Sequence, residues 1–268
     1  MKKEYVMWLI IAVLVVGLLL GTQKAETMAI RFTGASYQRV DFGAISAMPN
    51  LQGLTNKSIS FWVYQTAYTS NCSSIILYDD TSPYAAERWT VILNYDVANG
   101  KVLFIESFST TDGWWITNSA DVPTGGWYNV IITYNHSDVA NNPIIYVNGA
   151  SVAITESKTP VGTAFVETDS ELAIGASSFG TALTGTITGA RIYNRILTAD
   201  EVLAIYNARG RDNIRNGLVF CPFLKGAAGL QAFDGATLAA GNTIVDPCSG
   251  AVGVPTGSPV GVGETYLR

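Results

Sequence analysis

The chain has 268 residues, 48% of them hydrophobic and 14% charged, a balance that suits one β-sandwich of roughly 200–250 residues and excludes a disordered, charge-rich chain. Sixteen Lys and Arg against 21 Asp and Glu give a net charge of −5 with no basic run beyond the first residues, which excludes nucleic acid as a partner. A single histidine and three scattered cysteines leave no zinc site of the Cys/His type and make any His-dependent nucleophilic chemistry rest on one residue.

Lys2 and Lys3 precede a run from Tyr5 to Leu20 that carries no charge. A basic start followed by an apolar stretch directs a chain to a membrane, either as a cleaved signal peptide or as an uncleaved anchoring helix. Residues 1–28 are read as one or the other; the only acceptable small pair for cleavage is Thr27 and Ala29, and a start at Met28 is the competing reading. Lysines ahead of the segment keep that end inside, so everything after Gly21 is expected outside the cell. Export suits cysteine pairing: Cys221 and Cys248 can close a loop of 27 residues, worth about 3–4 kcal/mol in the chain-entropy picture, which leaves Cys72 over.

From residue 29 onward short period-two strands alternate with Gly, Asn, Asp and Ser, the pattern of a sandwich or barrel. Over residues 58–64, Ile59, Phe61 and Val63 share one face, read as core, and Ser58, Ser60, Trp62 and Tyr64 the other. Residues 88–95 and 102–108 read as two further strands. In residues 127–134, Tyr128, Val130, Ile132 and Tyr134 align. Residues 143–147 run into Asn148-Gly149, a dipeptide that supplies the positive φ angles of a two-residue type I′ hairpin, with 151–154 as the return arm. One helix is specified over residues 198–208: Thr198 and Glu201 make a capping box, Val202, Leu203, Ile205 and Tyr206 an apolar stripe, and Gly210 ends it.

Ser60-Phe61-Trp62-Val63, Gly126-Trp127-Tyr128-Asn129-Val130, Ile145-Tyr146-Val147-Asn148-Gly149, Leu172-Ala173-Ile174-Gly175, and Gly185-Thr186-Ile187 with Ala190 to Val202 resemble, in this order, the laminin-G-like domains of the concanavalin A-like lectin/glucanase superfamily. The resemblance covers about residues 29 to 208. It implies an all-β jelly-roll β-sandwich of two antiparallel sheets with one short helix, to which the amino-terminal hydrophobic helix is added. Thr188 stands where an acidic residue usually follows the Gly-x-Ile, so an acidic or calcium role there is not expected. Residues 217–224, 233–235 and 244–250 resemble the opening of such a domain. The organisation expected is therefore a sandwich over 29–210 with 211–268 as carboxy-terminal strands and an extended tail that complete or extend it. The combined opening and ending also resemble phage proteins and their metagenomic relatives.

The enzymatic candidate is Glu167-Thr168-Asp169-Ser170-Glu171, because glycoside hydrolases of this fold carry two glutamates flanking an aspartate on one strand. Thr168 and Ser170 replace the apolar residues that would pack the other face, so a solvated acidic loop is expected. Asp79-Asp80 offers hard oxygen ligands to calcium, but no ligand spacing accompanies it and a turn is expected; no cofactor is implied. His136 is read as a solvated turn residue. The binding candidates are aromatic: Trp114 and Trp115 after the turn at Asp112-Gly113, with Tyr84 and Trp89 near another loop, suit the apolar faces and hydroxyls of sugars. The competing arrangement sends one of the two adjacent tryptophans into the core and leaves the other over a sheet edge, because strand neighbours point to opposite faces.

The expectation is a non-catalytic, exported lectin-like protein for recognition or surface display, with glycan or a cell-surface or virion protein as partner. A self-assembling decoration subunit of a virion or filament, and a β-glucan hydrolase, are the competing readings.

Overall fold

A computed structural model describes residues 29–36, 38–69, 72–78, 89–94, 99–166, 170–176, 181–225, 243–246, 248–249, 252–256 and 260–262. Residues 1–28, Tyr84, Asp79-Asp80 and Glu167 to Asp169 lie outside them. Among the described residues no helix is long and apolar enough to cross a membrane.

Two sheets face each other. The first runs, in spatial order, β10 (Ala150–Ser151), β9 (Ile144–Val147), β8 (Trp127–Asn135), β3 (Asn56–Ala67), β14 (Thr184–Tyr193), β1 (Ala29–Thr33) and β19 (Val260–Val262), with β15 (Leu218–Phe220) pairing on β14. The second runs β11 (Ile154–Lys158), β7 (Gly113–Thr117), β6 (Val102–Glu106), β5 (Trp89–Leu93), β4 (Cys72–Tyr78), β12 (Glu171–Gly175), β2 (Arg39–Ala44), β18 (Val252–Thr256), β17 (Thr243–Val245) and β16 (Phe223–Lys225), with β13 (Thr181–Ala182) beside β4. Every described pairing between named strands is antiparallel except that of β13 with β4. This is the two-sheet jelly roll that the resemblance implied.

Alternation builds the core. Ile59, Phe61 and Val63 of β3, Val130 and Ile132 of β8 and Ile187 of β14 point inward from the first sheet; Val91 and Leu93 of β5, Phe104 of β6 and Leu172 and Ile174 of β12 meet them from the second. Period two places these side chains on one face of each strand, and burial of a Val, Leu, Ile or Phe stabilises by about 1.5–3 kcal/mol each.

The helix α1 (Ala199–Ala208) forms as expected, with Thr198 accepting from the Glu201 amide and Glu201 reaching back to the Thr198 amide. Its end differs slightly: Arg209 already takes the left-handed conformation at φ 48°, and Gly210 follows at 81°. The helix packs on the outer face of the first sheet, where Val202, Ile205 and Leu197 cover Ile131, Tyr146 and Tyr193. Ser58, Ser60 and Trp62 do lie opposite the core face, yet all three are buried, because the roofing helix is a partner distant in sequence. Trp62 stacks on Tyr206 with ring centroids 5.9 Å apart. The Ser58 hydroxyl donates to the Arg195 carbonyl at 2.7 Å and accepts from the Leu197 amide at 2.9 Å, fixing the chain that leads into the helix.

Asn148 and Gly149 adopt φ values of 52° and 81°, as a type I′ turn demands. The return arm is shorter than expected, only Ala150–Ser151. The chain then leaves the first sheet and enters the second as β11, paired with β7.

The segment after the helix extends both sheets: β15 and β19 join the first, and β16, β17 and β18 join the second through β2. A disulfide links Cys221 to Cys248. Beside it Asp246 is fully buried and accepts from the amides of Cys221 (2.7 Å), Cys248 (3.1 Å) and Ser249 (3.0 Å) and from the Ser249 hydroxyl. One carboxylate thus satisfies three backbone donors that would otherwise be stranded.

Candidate functional site

The site begins with the strand β7 and its five residues Gly-Trp-Trp-Ile-Thr. Trp115 points inward and is 0% exposed, stacked near Phe104 with centroids 6.0 Å apart and tilted against Tyr134 at 5.1 Å. Its indole Nε1 donates to Asn142 Oδ1 at 2.5 Å. The indole folds back across Gly113, where a Cβ would meet ring atoms, so the preceding residue on that face must lack a side chain. Trp89, on β5, is 1% exposed and also belongs to the core. Both residues are therefore withdrawn from the expected aromatic surface. Each is large enough that leaving it in water would forfeit more burial than any single surface contact returns.

Trp114 takes the opposite face. It is half-buried on the outside of the second sheet, in register with Ile105 of β6 on one side and Lys158 of β11 on the other. The Lys158 ammonium sits 5.2 Å from the Trp114 ring centroid and 3.5 Å from the Asp112 carboxylate, with 42% and 30% of the Lys158 and Asp112 side chains exposed. A cation near an indole face is attracted by the ring quadrupole, by about 0.5–1 kcal/mol at such exposed sites. An apolar plate, an anion acceptor and a cationic donor thus share one sheet edge. Of the expected residues, Trp114 and Asp112 come together; Lys158 was missed, since its contact follows from the crossover of β11 and from a bulge between Glu156 and Lys158.

A second half-buried aromatic pair was also missed. Tyr64 and Trp127 are in register across β3 and β8, with rings 5.5 Å apart on the outer face of the first sheet. Pairing the two strands by their alternation would have found it.

The acidic candidate is only partly described. Ser170 is buried and its carbonyl accepts from the Ile45 amide at 2.7 Å, and Glu171 opens β12 half-buried. Among the described residues one group of three His, Cys, Asp or Glu side chains has the spacing of metal ligands, Cys221, Asp246 and Cys248. There the two thiols are joined to each other, so that group is committed to structure.

His136 is not solvated. It lies in the turn after β8 as expected, but its ring is 10% exposed and Nδ1 is 2.9 Å from Glu106 Oε1. The same oxygen is 2.5 Å from the Lys57 ammonium, and Lys57 and Glu106 are 0% and 1% exposed. Neither partner is near His136 in sequence, so the cluster is invisible to local reading. Tyr134, beside it, has its phenol pushed well above the usual range, first by burial and then by the Glu106 and Glu156 carboxylates.

Comparison with known proteins follows the same line. A family profile described as the concanavalin A-like lectin/glucanases superfamily matches residues 35–203. No curated protein sequence matches. Among solved structures, a Bacteroides ovatus protein described as carbohydrate binding superposes with a TM-score of 0.56 at 13% identity, over 91% of this chain and 62% of its own. The present chain thus spans less than two thirds of that protein's length. The Ruminococcus gnavus sialidase module CBM40 gives a TM-score of 0.49 at 12% identity over 67% of this chain and 96% of its own. A pentraxin of Limulus polyphemus gives 0.49 at 11% identity over 86% and 95%. At these identities the likeness is one of fold. With the profile covering well over half of the sequence, and two antiparallel sheets arranged as that fold requires, the chain belongs to the concanavalin A-like lectin/glucanase superfamily.

Proposed function

We propose that the chain is an exported, non-catalytic lectin-like module that binds glycan at the outer edge of its second sheet, through Trp114 with Asp112 and Lys158. The observation that carries the reading is the Trp114 indole, half-buried on the outer face in register with Ile105 and Lys158. An indole so placed offers an apolar surface to the C–H face of a sugar ring, and the flanking carboxylate and ammonium accept from and donate to its hydroxyls. Membership of a superfamily that includes lectins supports it, as does the fold shared with a protein described as carbohydrate binding. Residues 1–28 serve export or anchoring in this reading, on the strength of Lys2, Lys3 and the uncharged run after them.

The test is binding of the purified protein to a panel of immobilised bacterial and animal glycans, followed by titration of the best of them. Trp114→Ala is expected to weaken binding tenfold or more, about 1.4 kcal/mol, with the fold unchanged by circular dichroism. No binding across the panel, or binding that Trp114→Ala leaves intact, would refute the site.

A further inference from the structure

Lys57 is the second residue of β3 in the first sheet, and Glu106 closes β6 in the second. Their side chains cross the interior and meet at 2.5 Å, both sealed from solvent. The surroundings are aromatic. Trp89 has its ring centroid 6.0 Å from the Lys57 nitrogen, Tyr134 is the cross-strand partner of Lys57, and Phe104 and Trp115 pack behind Tyr134. His136 Nδ1 lies 2.9 Å from Glu106 Oε1, while Glu106 Oε2 is buried with no hydrogen-bond partner among the described residues. Two ions removed from water recover their hydration only when every remaining lone pair and proton finds a partner. A carboxylate with one oxygen left unmatched falls short of that.

We infer that Lys57 and Glu106 are joined by an amide bond formed after folding, a covalent rung between the two sheets. In water, hydration holds an ammonium and a carboxylate as ions and dilution keeps them apart, so such a bond does not form. Here both obstacles are removed: the pair is dry, and its carbon is held one bond beyond an oxygen already in contact with the nitrogen. Groups fixed in this way react with effective molarities of about 10⁵–10⁸ M.

The step balances without an oxidant or a co-reactant. One proton passes from the Lys57 ammonium to the carboxylate oxygen in contact with it, giving amine and carboxylic acid. The Nζ lone pair then attacks Cδ of Glu106. His136 Nδ1 accepts a second proton from the nitrogen and delivers it to the departing oxygen, the Cδ–O bond breaks, and one water leaves. The Nζ–Cδ bond remains, with one hydrogen on nitrogen, and the imidazole is returned unchanged. His136 stands at the rim, 10% exposed, where the released water reaches solvent. The amide replaces two buried charges by one neutral group.

Peptide mapping of the full-length protein decides the matter. Trypsin cuts after Arg39, Lys57, Arg88, Lys101 and Lys158. After reduction and alkylation, the amide predicts a branched peptide in which residues 40–88, uncut at position 57, are joined to residues 102–158, one water lighter than the two together. Lys57→Arg keeps the charge but forms no such amide, and should yield the two segments separately. His136→Gln should slow conversion tenfold or more in a time course from refolding. Free peptides 40–57, 58–88 and 102–158, recovered in full from wild-type protein that melts cooperatively after prolonged incubation, would overturn the cross-link. A His136→Gln variant that converts at the wild-type rate would overturn the role given to the imidazole. Neither result bears on glycan binding at Trp114, which lies on the opposite side of the second sheet.

Discussion

Arg195 grips Glu201 with two guanidinium nitrogens, each 2.7 Å from a different carboxylate oxygen, and it is this same carboxylate that closes the capping box on Thr198. The Arg195 hydrogen bonds, aided by the Thr198 amide, hold the Glu201 carboxyl down at about 2, against an ordinary value of 4.5. A carboxyl depressed in the folded state stabilises above its unfolded value and loses that contribution as pH falls through the folded one. The wild-type melting temperature should therefore exceed that of Glu201→Gln at pH 7, by the equivalent of about 1 kcal/mol for a cap and a partly exposed ion pair. As pH falls from about 4.5 toward 2 the difference should shrink, and melting curves taken over that range would show whether it does.

The two adjacent tryptophans should separate by assay. Trp115→Ala opens a cavity among Phe104, Tyr134 and Asn142 and is expected to cost about 3–5 kcal/mol in urea unfolding. Trp114→Ala should cost less, under about 1.5 kcal/mol there, since the indole is half-buried on the outer face of the sheet rather than enclosed in the core. A reversed order would mean that the inward and outward assignments along β7 are wrong.

Substituting Asp246 strands the amides of Cys221, Cys248 and Ser249 in a buried site. Asp246→Ala should destabilise by at least about 1–3 kcal/mol, the cost of a single unsatisfied buried donor. Replacing both Cys221 and Cys248 by Ser should cost about 2–4 kcal/mol. The double replacement is expected to leave Asp246→Ala still costly, because the carboxylate serves backbone donors that the disulfide does not supply. Chemical denaturation of the three proteins tests the ordering.

At Gly149, φ is 81° and an added Cβ would stand 3.1 Å from Tyr206 and 3.2 Å from Leu203. Gly149→Ala should lose about 1–2 kcal/mol, from the strained turn and the helix pushed off the hairpin. Native-state hydrogen exchange should show the loss concentrated in α1 and β9 rather than spread over the second sheet.

Features written in contiguous chemistry were legible before the fold was seen. The capping box places α1, Asn-Gly places the hairpin, and alternation divides β3 into its two faces. The disulfide partners and the opposed directions of Trp114 and Trp115 also follow from short-range rules. What those rules do not contain is the identity of a distant cover. Nothing near Ser58 and Trp62 in sequence says that residues 197–206 will lie on top of them. Lys158 reaches Trp114 only through a crossover and a bulge, and His136 reaches Glu106 only because the sandwich closes. Each error is one of long-range pairing, and each fell on a polar or aromatic side chain whose partner decides its role.

The register of Ala29 against Val262 brings the first described strand alongside the last. Strands that neighbour each other this way can be spliced by a short linker without disturbing a ladder, so the sandwich is topologically close to a ring. Reopened in the exposed turn around Val139 and Ala140, a permuted chain would retain every strand pairing described above while moving its ends next to the cluster at His136.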